Sequence, residues 1–239
     1  MIVRFYRRLK PFKALSFDLD DTLYDNHPVI TRAEAALKQH LQTLIPATQE
    51  VTANFWWQQR RYCLQQNPAL SHDVTALRLA TLTLGLVKLG YEEAEAKQKA
   101  ENAFAFFLRH RNNLTVSDEV IKLLENLAEK FPLVAISNGN VSVDDIGIRH
   151  CFVDTYFAGN GNLQKPENDM FHQACEFINI TPSQLLHVGD CTHADIFGAM
   201  RAGCQTAWVN NQSFAIVKKP LKTLPTMQLD KVEQLQTFL

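Results

Sequence analysis

No apolar run in this chain of 239 residues approaches the ~20 needed to cross a bilayer as a helix. The N-terminus, MIVRFYRRLKPFKALSF, is basic, and it lacks the apolar stretch of about 7–15 residues and the small-residue cleavage site of a signal peptide. The expectation is a soluble, cytoplasmic protein with no membrane partner. Net charge is also lacking: 24 basic residues stand against 25 acidic ones, for a formal charge of −1, which argues against a general nucleic-acid or anionic-membrane binder. The early positives Arg4, Arg7, Arg8, Lys10 and Lys13 are read as a solvated entry to the first strand. Cysteine pairing is absent too. Cys63, Cys151, Cys175, Cys191 and Cys204 are odd in number, scattered and never in a C-x-x-C pair, which suits free thiols in a reducing cytosol. There are no repeats or low-complexity tracts. What remains, 46% hydrophobic and 21% charged, is an ordinary globular composition. A chain of this length buries roughly 70–75% of its unfolded surface, so neither disulfides nor a structural metal is required. A small molecule is the default partner; oligomeric state is not legible.

The first strong strand signal, Ala14 to Asp20, is an apolar run that ends abruptly in acid. From Asn26, read as an N-cap before Pro28, to about Arg111 the period becomes 3.6. Ile30, Ala33, Leu37, Leu41 and Leu44 line one helical face. Val74–Leu89 is apolar around most of its circumference until Gly90, and a fourth helix runs from Glu92 to about His110. Beyond Thr115 strands and helices alternate. Ser117 caps a helix stopped by Pro132; Leu133–Ser137 is a strand; a short helix follows Ser142. A strand near Cys151–Phe157, a helix Pro166–Ile178, a strand Leu185–Val188, a helix Asp195–Ala202 ended by Gly203 and a strand Gln205–Val209 complete the series. Short loops between them mean βαβ units and a parallel sheet. The fold class is therefore α/β: a Rossmann-like parallel sheet core, residues 1–24 and 115–239, interrupted by an inserted all-helical domain, 25–114.

In a parallel sheet ligands bind beyond the carboxyl ends of the strands. Four such places carry polar residues: Asp18-Leu19-Asp20-Asp21-Thr22, Ser137-Asn138-Gly139-Asn140, Lys165-Pro166, and Gly189-Asp190-Cys191-Thr192-His193-Ala194-Asp195. Strand residues two apart point the same way, so Asp18 and Asp20 can reach one site while Leu19 packs inward. If Asp18 attacks phosphorus, Asp20 can protonate the leaving oxygen and later take a proton from the hydrolytic water. Mg²⁺ wants about six oxygen ligands, of which Asp18, Asp190 and a backbone carbonyl supply three. Ser137 and the turn N–H groups around Asn138 and Gly139 can hold phosphoryl oxygens, and Lys165 adds a positive charge. Any one of these motifs alone is an ordinary turn or helix entry. Their coincidence at successive strand ends is what points to phosphoryl chemistry.

The four motifs resemble those of the haloacid dehalogenase (HAD) superfamily: D-x-D-x-T, a Ser/Thr after the second strand, a Lys, and G-D-x-x-x-x-D. The resemblance spans the whole chain and implies a helical C1-type cap that closes over the site and selects the substrate. It implies Asp18 as nucleophile, Asp20 as general acid and base, Ser137 and Lys165 as phosphate ligands, and Asp18, the Asp20 carbonyl and Asp190 as Mg²⁺ ligands, with Asp195 behind them. Thr22, Asn138 and Gly139 join the substrate-binding set. RFYRRLKPFKALSFDLDDTLYDN, SHDVTALR, LVAISNGN and LLHVGDCTHAD are similar to bacterial phosphatases of the family linked to dephosphorylating 5-amino-6-(5-phospho-D-ribitylamino)uracil on the way to riboflavin and FMN. The implied activity is Mg²⁺-dependent hydrolysis of that ester or of another small phosphorylated metabolite, with sugar phosphates and nucleotides as further substrates.

Other readings stay open beside it: a phosphomutase, a non-enzymatic phosphoacceptor, and a dehalogenase, which needs no acid at the position of Asp20. His187, Asp190, Cys191, His193 and Asp195 together suggest a Zn²⁺ cluster, but they meet no recognised ligand spacing. In the insertion, packing is expected of Trp56 and Trp57, while Arg60 and Arg61 beside them, and His72 and Asp73 at the start of the most apolar helix, are candidate substrate contacts.

Overall fold

Strands made mostly of apolar residues are buried on both faces of the parallel sheet they join. In a computed structural model, which describes residues 3–214 and 223–239, this holds for β2 (Ala14–Phe17), β3 (Leu133–Ser137), β5 (Leu185–Gly189) and β6 (Gln205–Val209), every residue of which is buried. With β1 (Arg4–Phe5), β4 (Asp154–Phe157) and β7 (Met227–Leu229) they form one sheet in the order β1-β7-β6-β5-β2-β3-β4. All neighbours are parallel except β1, which lies antiparallel to β7. The chain therefore leaves the central strand β2 toward β3 on one side and returns to β5 on the other. The crevice at the carboxyl end of β2 is a topological switch point, the place where open α/β sheets bind ligands.

Two compact units divide the chain: Met1–His27 with Thr115–Leu239, and Pro28–Leu114. In the first, α5 (Asp118–Ala128) is capped by Ser117, whose hydroxyl accepts from the Val120 amide. It buries Val120, Leu123, Leu124 and Leu127, each worth about 1.5–3 kcal/mol when removed from water. On the sheet, α6 (Asp169–Ile178) packs Met170, Phe171 and Ala174 against Val134, Ile136 and Leu185.

The second unit is helical: α1 (His27–Gln42), α2 (Phe55–Gln66), α3 (Val74–Lys88) and α4 (Glu93–Arg111). Ala33, Leu37 and Leu41 of α1 join Leu82 and Leu86 of α3 and Phe107 of α4 in its core, while Ala96, Ala100 and Ala103 let α4 approach closely. Gly85 is required by packing, because a Cβ there would lie 2.2 Å from Trp56 Cζ3.

Several boundaries differ from the sequence reading. Asn26 does not cap α1: its buried Oδ1 makes no hydrogen bond. The segment after Ser142 makes one turn and stops at Gly147 (φ +78°), so no helix forms there. α6 starts at Asp169 rather than Pro166, because Gln164 to Asn168 is taken up by a turn closed by Glu167 N–H on the Gln164 carbonyl. The segment expected as a helix from Asp195 begins earlier, as a π-helical stretch, Thr192–Phe197, that leads into α7 (Gly198–Arg201). Cys191 causes this: its Sγ accepts from Ala194 N–H and its carbonyl from the amides of Asp195 and Ile196. Trp57 does not pack as expected but is 58% exposed, with the Arg61 guanidinium 5.7 Å from its ring. All five cysteines are free thiols. Among the described residues no helix is long and apolar enough to cross a membrane.

Candidate active site

Asp18 follows β2 directly, and its amide still bonds to the Val188 carbonyl of β5, which fixes the carboxylate at the switch point. The next turn is tight: Asp21 adopts φ +60°, a left-handed conformation aspartate tolerates, and its carboxylate accepts from the Asn26 amide. Asp20 is only half-buried; its Oδ1 accepts from the Tyr24 hydroxyl at 2.7 Å. Thr22 is buried, with its hydroxyl 3.5 Å from Asp190 Oδ1.

Lys165 is the hub. Its buried ammonium donates to Asp18 Oδ1 at 2.7 Å, Asp195 Oδ1 at 2.7 Å and the Ile136 carbonyl at 2.6 Å, so all three hydrogens have acceptors and a phosphoryl oxygen would have to share one. Burial alone would lower its pKa, but Asp18 and Asp195 outweigh that and hold it above the usual lysine value. The loop carrying it is tied to the end of β3 by a reciprocal pair: Lys165 N–H donates to Asn138 Oδ1 at 2.7 Å, and Asn138 Nδ2 donates to the Lys165 carbonyl at 2.8 Å. The Asn138 side chain is thereby engaged with protein. Ser137 is buried beside it and accepts from Gly139 N–H.

The two carboxylates on the hub behave differently. Burial pushes the Asp18 carboxyl up to about 7, with Lys165 opposing and Asp195 and Asp20 adding to the rise. Burial would raise Asp195 as well, but Lys165 and then His187 outweigh it and hold this acid well below the usual carboxylate range. Asp195 Oδ2 also accepts from Cys191 N–H at 2.8 Å. Gly189 is required here, because a Cβ would stand 2.4 Å from Asp195 Cγ.

Ligand oxygens of Asp18, Asp190 and Asp195 lie within 4.8 Å of one another. The set is hard oxygen throughout, which fits Mg²⁺ and not a Zn²⁺ site of imidazole and thiolate. Since the Asp195 oxygens already serve Lys165 and a backbone amide, Asp18 and Asp190 are the side chains that suit a cation. His187 is fully buried, His193 stacks on Phe197 with ring centroids 5.5 Å apart, and burial pushes the Cys191 thiol up. None of these three belongs to the carboxylate group.

His72 and Asp73 lie in the helical unit, where Asp73 caps α3 by accepting from Ala76 N–H at 2.8 Å. That unit also carries a cleft of about 550 Å³ between α1, α2 and α3, lined by Lys38, Trp56, Trp57, Arg60 and Arg78 among others. Arg78 is paired with Glu34 at 2.6 Å. Trp57 and Arg60 are both exposed along this cleft. Tyr24, which bonds to Asp20, carried no sequence signal beyond its closeness to the acidic motif, and His187, considered only as a Zn²⁺ ligand, instead bonds to Asp195.

An aspartate at the switch point of a parallel sheet, a lysine bridging it to a second acid and a group of hard carboxylates suit phosphoryl chemistry. The chain belongs to the haloacid dehalogenase-like hydrolase family, whose model matches residues 12–203. It is 33% identical over 238 residues to 5-amino-6-(5-phospho-D-ribitylamino)uracil phosphatase YigB of Escherichia coli, covering 99% of this chain and 100% of that one. Human N-acylneuraminate-9-phosphatase is 24% identical over 223 residues, covering 91% and 88%. Among solved structures, a 2-haloacid dehalogenase from Pseudomonas syringae superposes with a TM-score of 0.87 at 34% identity, covering 95% and 97%.

Proposed function

We propose that this enzyme is a Mg²⁺-dependent phosphomonoester hydrolase working through an aspartyl-phosphate, with 5-amino-6-(5-phospho-D-ribitylamino)uracil as substrate. The observation that carries the reading is the Lys165 ammonium held between Asp18 and Asp195 beside the carboxylate group. Asp18 attacks phosphorus, the ester P–O bond breaks, and Asp20 gives a proton to the departing alkoxide. Asp20 then takes a proton from water as the water oxygen attacks phosphorus, releasing phosphate and restoring Asp18. Lys165 keeps Asp18 oriented and offsets its charge against the anionic ester; Ser137 and the amides near Gly139 hold phosphoryl oxygens. Asp18, the Asp20 carbonyl and Asp190 would hold Mg²⁺, which would supply charge neutralisation for the phosphoryl group. The helical unit acts as the cap that selects the ester, with Trp57, Arg60, His72 and Asp73 as its candidate contacts. The choice of substrate rests on the likeness to the E. coli phosphatase.

A dehalogenase is the second reading, raised by the likeness to the Pseudomonas enzyme. Asp20 opposes it, because a departing halide needs no proton. Phosphate release should be measured from the ribitylaminouracil ester, sugar phosphates and nucleotides, with Mg²⁺ and with EDTA, alongside chloride release from 2-chloropropionate. Metal-dependent phosphate release, greatest for the ribitylaminouracil ester, is expected. Chloride release without phosphate release would replace this reading with the second.

A further inference from the structure

We propose that Ser16 and His187 are positioning residues that set the Lys165 ammonium on Asp18 by way of Asp195. The inference rests on the reading of Asp18 as nucleophile. Ser16 and His187 are paired across β2 and β5, both fully buried, and their side chains meet on one sheet face with Ser16 Oγ 2.8 Å from His187 Nδ1. The other ring nitrogen, Nε2, lies 3.3 Å from Asp195 Oδ1, and that same oxygen accepts from Lys165 Nζ at 2.7 Å. Lys165 in turn reaches Asp18 at 2.7 Å. Three side chains, His187, Asp195 and Lys165, thus link Ser16 to the proposed nucleophile two residues further along the chain, just past the end of β2.

The hydrogen-bond roles follow from the acceptors. A carboxylate oxygen has no hydrogen to give, so Nε2 carries the ring hydrogen. Burial depresses the pKa of the ring and favours its uncharged form, which leaves Nδ1 as an acceptor for the Ser16 hydroxyl. Phe171 stands edge-on to the imidazole, with centroids 4.9 Å apart and planes at 86°, and so limits ring rotation. Asp195 Oδ1 then receives two donors and Oδ2 the Cys191 amide, so the carboxylate is fixed at both ends. A histidine that merely filled space would not share the oxygen that holds the lysine.

The test uses the full chain with Mg²⁺ and para-nitrophenyl phosphate, with inorganic phosphate as inhibitor and thermal melting as the fold control. His187→Leu keeps apolar bulk and loses both hydrogen bonds; His187→Gln retains an N–H near Nε2 and an oxygen toward Ser16. His187→Leu should lower kcat about tenfold to thirtyfold while KM and phosphate inhibition stay within about twofold, and His187→Gln should recover most of the loss. Ser16→Ala should lower kcat about threefold to tenfold by removing the hydroxyl that anchors Nδ1 and so freeing the ring to shift on Asp195, and it carries the comparison if His187→Leu does not fold. In chain labelled with ¹⁵N-histidine, His187 should read as the Nε2–H tautomer, which needs no activity to measure. An Nδ1–H tautomer, full turnover in His187→Leu, or losses in all variants that track only the folded fraction would overturn the proposal. Asp18→Asn separates the two readings: turnover retained there defeats the nucleophile itself, whereas loss there beside a fully active His187→Leu defeats only the positioning role.

Discussion

The Tyr24 hydroxyl donates to Asp20 Oδ1 at 2.7 Å, reaching back across the turn that carries Asp21 in its left-handed conformation. Asp20 and Tyr24 also form an isolated parallel bridge, so backbone and side chain hold the proposed general acid together. Tyr24→Phe removes one hydrogen bond and keeps the buried ring. A loss of about 1 kcal/mol in transition-state stabilisation, roughly fivefold in kcat, is expected with an unchanged melting temperature. Steady-state kinetics beside a thermal melt checks this.

The two acids of the opening motif should fail differently. Asp18→Asn should abolish the phosphoenzyme, and Asp20→Asn should slow both its formation and its hydrolysis by about 10²–10⁴-fold. Acid quenching with ³²P-labelled ester distinguishes them: label is trapped, slowly, in Asp20→Asn and never in Asp18→Asn.

Metal affinity should depend on pH through Asp18. Its carboxyl stands at about 7, above its ordinary value of 3.8, so a cation binding there displaces a proton below neutrality. Mg²⁺ affinity should fall about tenfold per pH unit below 7, with proton release measurable by titration calorimetry in buffers of different ionisation enthalpy. The stability contribution of Asp18 is present at low pH and lost as pH rises through about 7, whereas that of Asp195, whose pKa is depressed, is present above the ordinary carboxylate value and lost in acid. Melts with and without Mg²⁺ should therefore diverge as pH rises from 5 to about 8. Convergence over that range would refute the assignment.

Gly189→Ala should damage the site from behind. The new Cβ would lie 2.5 Å from Asp195 Cβ and 2.6 Å from its Oδ2, so the carboxylate that holds Lys165 must shift. Overpacking of this kind costs about 1–3 kcal/mol, and kcat should fall further than that stability loss explains. Comparing the melt with turnover per folded molecule reads the two effects apart.

The buried parallel strands were legible because β2, β3, β5 and β6 are short, mostly apolar runs, and the helical insertion because its 3.6 period survives from Ala33 to Phe107. β1 and β7 were not, being only two and three residues long, too short for a period to establish itself. The π-helical stretch was missed because Cys191 is a rare capping residue. In the site, spacing pointed to Asp18, Lys165, Asp190 and Asp195, which do come together. Tyr24 escaped, and His187 was weighed only as a Zn²⁺ ligand, because the importance of each lies in which oxygen it touches, and spacing does not reveal that for a tyrosine in a turn or a histidine within a strand.

The reciprocal bonds between Asn138 and Lys165 make one side-chain amide stand in for a strand neighbour, as if β3 were extended sideways by a single residue. The turn at Gly139 and the loop bearing the ammonium are consequently one mechanical piece and should open together. Transplanting either loop between relatives without its partner would bury an amide or a peptide group with nothing to bond, so the two segments are expected to be inherited as a pair.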